Sequence, residues 1–363
     1  MAPLDIYAGP GAMSVIKKEG FLPRHFKYFL GASGGPKWFV LAGLDRVLFP
    51  EWLRQRGTPL HIIGSSAGAF RAACAVQRDP LAAINRLADH YSHTEYSDKP
   101  TAREITGKAR ALIRHMLGEQ GKLDLITNEL FKAHFIVARC HGPVKSDNSL
   151  SQLTGLAMSA AANSLGRRHL RRFYTRCVFS APHAKISIDD PYNIPTEYYE
   201  LGHNSISTSL LASGSIPMVL QSVRHIIGAP ETTYRDGGIV DYHFDVKFGP
   251  EPGLVLYPHF YPFAIPGWFD KHLKNRLPHY ENYYNTVMLV PSSEFVANLP
   301  YGKIPDRKDF ETMDAPTRIK YWQAVLSESD RLGDYFMSMA QQPSFIEHIK
   351  PLPFALHKPA SVA

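Results

Sequence analysis

The sequence predicts an α/β protein, a three-layer α/β/α arrangement around a mostly parallel central sheet. Two observations carry that expectation. The stretch "YFLGASGGPKWFVLAG" (28–43) is an apolar run, a glycine-rich turn and a second apolar run, and "HIIGSSAGAFRAACAV" (61–76) repeats the plan. Two strand–turn–helix units in succession are what a parallel βαβ crossover needs.

The elements follow in chain order. Residues 26–30 form a short strand ending at Gly31, and Pro36 suits the first position of a helix, where a missing N–H costs nothing. Trp38, Val40, Leu41, Leu44, Val47 and Leu48 give that helix an apolar face, and it should end near Pro50. A second strand at 59–64 precedes a small-residue helix at 67–76. A helix-rich insertion follows: one helix from Asp79-Pro80 to about His90, others near 102–117 and 150–172. Strands are expected at 134–140 and 176–182, a helix at 206–220 halted by Ile216-Pro217, and a strand at 232–238 running into a turn. Two more strands at 253–258 and 286–291 and a last helix from about Asp314 to Met339 complete the chain. With no repeat or linker, 1–363 reads as one domain. Its motif-bearing core is about 26–245, and a mixed C-terminal extension covers about 251–363.

Composition narrows the class. A hydrophobic content of 44% with 20% charged residues is that of a globular chain, not a disordered one. Cys74, Cys140 and Cys177 are well separated, an odd number without zinc spacing, and read as buried thiols in a reducing compartment. No basic start with an apolar core opens the chain, and no apolar run approaches the ~20 residues of a membrane span. A cytoplasmic protein is expected, with peripheral membrane attachment as its only membrane contact.

The net charge of +7 is unevenly placed, with 13 Lys/Arg against 5 Asp/Glu between Thr101 and Ser180. On a helix, Arg167, Arg168, Arg171 and Arg172 would share one face. An anionic membrane surface or an acidic partner fits that face, and a solvated helix surface is the plainer alternative. Nucleic acid is not an expected partner.

The loop at 31–37 holds an anion, and its sequence says which kind. A P-loop lysine at Lys37 would leave Pro36 in place of the second glycine and Trp38 in place of the magnesium-binding Ser/Thr. The dinucleotide fingerprint fails on spacing, with Ser33 and Pro36 where glycines belong. One βα unit later, Gly64-Ser65-Ser66-Ala67-Gly68 is a G-x-S-x-G at a strand end with a helix behind it, the context of a nucleophile elbow. Its glycines Gly64 and Gly68 relieve crowding at the sharp turn. The bland alternative is a tight turn whose Ser66 caps the helix. As a nucleophile, Ser66 needs an oxyanion hole, and Gly34 and Gly35 can turn their N–H groups toward a tetrahedral intermediate. Lys37 either adds positive charge there, binding substrate, or is a solvated side chain on the first helical turn.

Gly34-Gly35-Pro36-Lys37, then Gly64–Gly68, then Asp236-Gly237-Gly238, in that order, resemble the blocks of the patatin-like phospholipase family. The "ASGSIPMVL" segment (212–220) resembles the small-residue-Ile-Pro stretch that precedes the family's aspartate. The resemblance spans about 26–245. It implies a patatin-like fold and a Ser–Asp dyad, in which Ser66 attacks an acyl carbonyl and Asp236 takes its proton directly. It further implies hydrolysis of fatty acyl esters of phospholipids, lysophospholipids or neutral glycerolipids, with no cofactor and no metal. The chain departs from the family at Ser33 and Trp38, where glycine is frequent, and Pro36 offers no N–H.

Two other readings stand beside this one. A Ser–His–Asp triad on an α/β-hydrolase fold would use His243 or His259 after Asp236. A non-catalytic lipid- or protein-binding module on a hydrolase fold would carry a broken motif, and none of the three blocks is broken. His90, His93 and Glu95 lie close together, but a helix C-terminus favours histidine without any metal. Asp189-Asp190 and Asp241 read as isolated loop or cap acids. The aromatic stretch at 257–270 reads as a loop packed on its own domain, or else as a lid that places Trp268 at a membrane.

Overall fold

Parallel strands in the order they leave the sequence build the centre of the molecule. The computed structural model describes residues 2–357. The strands are β1 (Leu4–Ala8), β2 (Phe26–Gly31), β3 (Leu60–Ser65), β4 (Phe131–Cys140), β5 (Tyr174–Ser180), β6 (Ser187–Asp189), β7 (Thr196–Glu200), β8 (Tyr234–Asp236), β9 (Lys247–Gly249), β10 (Leu254–Pro258), β11 (Thr286–Pro291) and β12 (Ile349–Pro351). The helices are α1 (Pro10–Glu19), α2 (Ala42–Val47), α3 (Ala67–Ala75), α4 (Pro80–Ser92), α5 (Ala102–Leu117), α6 (Gly121–Thr127), α7 (Ser149–Leu165), α8 (Ile206–Ser213), α9 (Tyr280–Tyr283), α10 (Ser293–Ala297), α11 (Asp309–Thr312), α12 (Ala315–Glu328) and α13 (Asp330–Ala340).

The main sheet runs β12-β1-β11-β10-β2-β3-β4-β5-β7, with β8 added on β4. Most neighbours are parallel, and β1–β11, β4–β5 and β4–β8 are antiparallel. Strands β3, β5, β10 and β11 are buried along their whole length, as expected of a sheet flanked by helices. The α/β class and the mostly parallel sheet are as the sequence predicts. From β2 the chain steps to β3 and β4, whereas from β10 it steps the other way to β11. Right-handed crossovers then leave β2 and β10 on opposite faces, which opens a crevice at the C-terminal ends of these two strands. No helix among the described residues is long and apolar enough to cross a membrane.

The register on β4 brings the ends of two strands together. β5 occupies one edge of β4 from His134 to Cys140, so β3 and β8 share the other edge. β3 runs parallel to β4 and stops with Ser65 opposite Ile136, while β8 runs antiparallel and stops with Asp236 opposite Val137. The two strands therefore meet end to end.

Several elements differ from the sequence expectation. The helix after the glycine-rich loop begins as a 3-10 turn (Gly35–Leu41), and it does not end at Pro50 but widens into one π turn (Leu48–Trp52). Pro50 has no N–H for the α ladder, and the Leu53 N–H closes the turn by reaching back five residues to the Leu48 carbonyl. The helix expected at 150–172 stops at Gly166, whose N–H bonds back to Ala162 and Asn163, and a 3-10 turn (Arg167–Arg172) follows. The last helix breaks at buried Ser329, where the Gly43 N–H donates to the serine Oγ and the two backbones nearly touch. Beyond residue 251, β10, β11 and β12 are built into the same sheet as the motif-bearing strands.

The placement of charge differs from the sequence expectation in two places. Arg167 is buried and donates to Asp270 and to the Val240 carbonyl, so only Arg168, Arg171 and Arg172 reach the surface. Asp241 and Asp190 are not isolated: both are buried on the guanidinium of Arg176, at 2.6 and 2.8 Å. A buried cation needs such partners, and single-residue spacing gives no sign of them.

Candidate active site

Ser66 sits where β3 turns into α3, with φ +54° and ψ −123°, a backbone conformation that non-glycine residues rarely adopt. The glycines around it are sterically required. A Cβ on Gly64 would lie 2.1 Å from the Gly68 carbonyl, and one on Gly68 would lie 1.8 Å from the Gly31 carbonyl oxygen. The turn therefore lifts the serine side chain off the sheet while α3 presses against the end of β2.

At the end of β8, Asp236 accepts the Ser66 Oγ–H at 2.9 Å on Oδ2 and the Gly238 N–H at 2.7 Å on Oδ1. Both side chains are buried, and burial raises the Asp236 carboxyl from 3.8 to about 6 against the pull of those hydrogen bonds and of Arg307 and Lys271. A carboxyl that titrates near there is poised to accept a proton at neutral pH. The two glycines after it also have reasons: a Cβ on Gly237 would meet the Ile136 carbonyl at 2.1 Å, and one on Gly238 would meet Ser33 Oγ at 2.5 Å.

The small-residue segment before Pro217 holds both members of the pair. Ser213 Oγ accepts the Ser66 N–H at 3.0 Å and donates to the Ile136 carbonyl, while the Ser215 carbonyl accepts the Asp236 N–H. Because the Ser66 N–H is engaged, it is not available to an oxyanion. The N–H groups of Gly34 and Gly35 have no acceptor among the described residues. Gly34 lines the cavity over Ser66, and Gly35, at φ +57°, is buried behind it near the Tyr91 hydroxyl.

The family departures have local explanations. Ser33 Oγ is 2.7 Å from Ser65 Oγ, and the Ser33 N–H donates to the Tyr242 carbonyl, so the loop is pinned to the residue before Ser66. Trp38 Nε1 donates to Asp45, whose carboxylate also takes two hydrogen bonds from Arg71 on α3. The loop and the helix behind Ser66 thus share one buried ion pair.

A cavity of about 110 Å³ covers the pair. Its polar wall brings together Lys37, Lys271 and Arg307 with Asp306. Lys37 is not solvated, since it is ion-paired with Asp306. Lys271 lies 4.2 Å over the Tyr242 ring, and burial and then Arg307 lower its ammonium to about 8. Neither Lys271 nor Arg307 has a carboxylate partner within salt-bridge distance among the described residues. Sequence reasoning missed these two: they come from irregular segments far down the chain, where no motif marks them.

The remaining candidates lie elsewhere. His243 and His259 are fully buried side by side; His243 Nδ1 accepts the Ile265 N–H, His259 Nδ1 lies 2.7 Å from the Tyr261 carbonyl, and among the described residues neither ring hydrogen-bonds to Ser66 or Asp236. Burial lowers both, His259 to about 3. His93 Nδ1 caps the Asp89 carbonyl, and His90 stacks on His115. The aromatic stretch packs largely inward, with Tyr257, His259 and Phe260 buried, while partly exposed Trp268 joins the cavity wall.

No protein-family model matches the sequence, and no curated protein matches it. Among solved structures, the chain has a slight likeness to the crystal structure of VipD from Legionella pneumophila, at 13% identity and a TM-score of 0.30. The match covers 71% of this chain and 53% of that one, so the chain spans about half of VipD's length. A likeness that slight decides neither fold nor activity.

Proposed function

We propose that this chain is a lipid acyl hydrolase of the patatin type, working through Ser66 and Asp236. The observation that carries the reading is the direct 2.9 Å hydrogen bond between them, made at a strained elbow with no imidazole between. Ser66 Oγ attacks the ester carbonyl carbon as Asp236 takes its proton. The oxyanion that forms faces the free N–H groups of Gly34 and Gly35, where one such donor is worth ~3 kcal/mol. Collapse expels the alcohol, which leaves with the proton held on Asp236, and water then cleaves the acyl-enzyme by the same steps.

The triad reading loses its support with the burial of His243 and His259. Lys271 and Arg307, two cations without carboxylate partners beside the ester site, favour a substrate with an anionic group next to the scissile bond, as in a glycerolipid phosphate. The cavity is smaller than the ~300 Å³ at which pockets enclose drug-sized ligands, so it suits headgroup and ester, with the acyl chain outside.

Labelling by a fluorophosphonate probe tests the chemistry. The probe should attach to Ser66 and fail to attach in Ser66→Ala, with labelling of Asp236→Asn slowed by about a thousandfold. Labelling that survives in Ser66→Ala would point to another nucleophile. An unreactive wild-type protein, with or without anionic vesicles, would favour the binding-module reading.

A further inference from the structure

Helix α7 is polar inside and apolar outside. Its 17 residues include no charged side chain. The buried positions are Gln152, Gly155, Ser159 and Asn163, whereas Leu150, Leu153, Met158 and Leu165 are 75, 56, 46 and 84% exposed. At 100° per residue these sets fall on opposite sides, the reverse of a helix that packs an apolar stripe on a core. The exposed side is completed by alanines at 157, 160 and 161 and by Thr154 and Ser164, whose hydroxyls donate back to the helix carbonyls of Leu150 and Ala161.

The polar inner side has a task. Gln152 Oε1 accepts the Met218 N–H at 2.8 Å, and Asn163 Nδ2 donates to Asp270 at 2.6 Å. These anchors hold the two segments that rim the cavity, since Ile216 and Pro217 precede Met218 and Trp268 and Lys271 flank Asp270. Met218 is itself 47% exposed, so the apolar surface continues from α7 to the rim. Just past the helix, Arg168, Arg171 and Arg172 are exposed. The acid at its other end, Asp147, is ion-paired with Arg235 and Arg224.

An uncharged apolar face bordered by arginines is the pattern of a helix lying in a membrane interface. We propose that α7 docks flat on an anionic lipid bilayer. The face from Leu150 to Leu165 enters the boundary between headgroups and acyl chains. Arg168, Arg171 and Arg172 meet lipid phosphates, and the cavity rim at Met218 is brought to the surface. This deepens the hydrolase reading by naming where a lipid substrate is met, but docking itself requires no turnover.

The test uses the full chain with Ser66→Ala, sedimented with vesicles of phosphatidylcholine alone or mixed with phosphatidylglycerol. The expected result is binding to the mixed vesicles, weakened about tenfold or more by Leu150→Ser with Leu153→Asp. Arg168→Gln, Arg171→Gln and Arg172→Gln together should remove the preference for phosphatidylglycerol and the sensitivity to salt. Matching thermal melts show that the variants fold. No vesicle binding by the parent, or binding untouched by either set, overturns the proposal, as does a dimer that the leucine substitutions dissociate. Wild-type protein that binds the mixed vesicles yet turns over no soluble ester would count against the chemistry alone.

Discussion

Gly68 and the carbonyl of Gly31 meet backbone to backbone, since a Cβ on Gly68 would lie 1.8 Å from that oxygen. The helix behind Ser66 is thereby set against the strand that feeds the glycine-rich loop. Gly68→Ala must push the two apart and should cost about 3 kcal/mol or more. Urea unfolding measures this, and a loss below about 1 kcal/mol would mean that the contact is readily relaxed.

The pH dependence of turnover should follow Asp236. With its carboxyl raised to about 6, the fraction able to take the Ser66 proton grows as pH rises through that value. On a neutral soluble ester, kcat/KM is expected to climb tenfold per pH unit below about 6 and level off above. A plateau persisting down to about pH 4.5 would remove Asp236 as the base.

The same shift makes Asp236 a stability liability at neutral pH. Between 3.8 and about 6 the folded state keeps a proton that the unfolded chain has lost. Stability therefore falls as pH rises through that window and stays lower above it, by roughly 3 kcal/mol. Asp236→Asn can still accept the Gly238 N–H and carries no charge to bury. It should raise the urea midpoint near pH 8 and leave it nearly unchanged below the usual carboxylate range. Equal midpoint shifts at both ends of the titration would contradict this.

Lys271→Gln separates binding from chemistry. For an ester bearing phosphate beside the scissile bond, kcat/KM should fall about tenfold, while a neutral ester of similar size loses little. In the wild type, the advantage of the anionic ester should fade above about pH 8 as the Lys271 ammonium deprotonates. Parallel kinetics on the two esters check both statements. An equal loss on both substrates would make Lys271 structural.

The elements legible in the sequence were those whose chemistry is local. The strand before Gly31, the elbow at Ser66 and the turn after Asp236 each announce themselves through glycines at fixed spacing, because backbone crowding permits nothing larger there. The rest depends on long-range company. Buried Arg167 and Arg176 look like surface arginines until Asp270, Asp241 and Asp190 arrive from elsewhere in the chain. Lys271 and Arg307 sit in irregular segments without periodicity. In α7 the apolar and polar residues alternate sides without any sign in the sequence of which side faces out, and its polar contacts to Met218 and Asp270 show the apolar side turned outward.

Because β3 and β8 abut along one edge of β4, the distance from Ser66 to Asp236 is indexed by a third strand and not by their separation of 170 in sequence. Within the intervening chain, β4 and the serines Ser213 and Ser215 carry that index, whereas the helical connection from α4 to α6 lies outside it. Length changes in that connection leave the pairing of the two strand ends on β4 untouched, so insertions are tolerated there that β4 itself could not take.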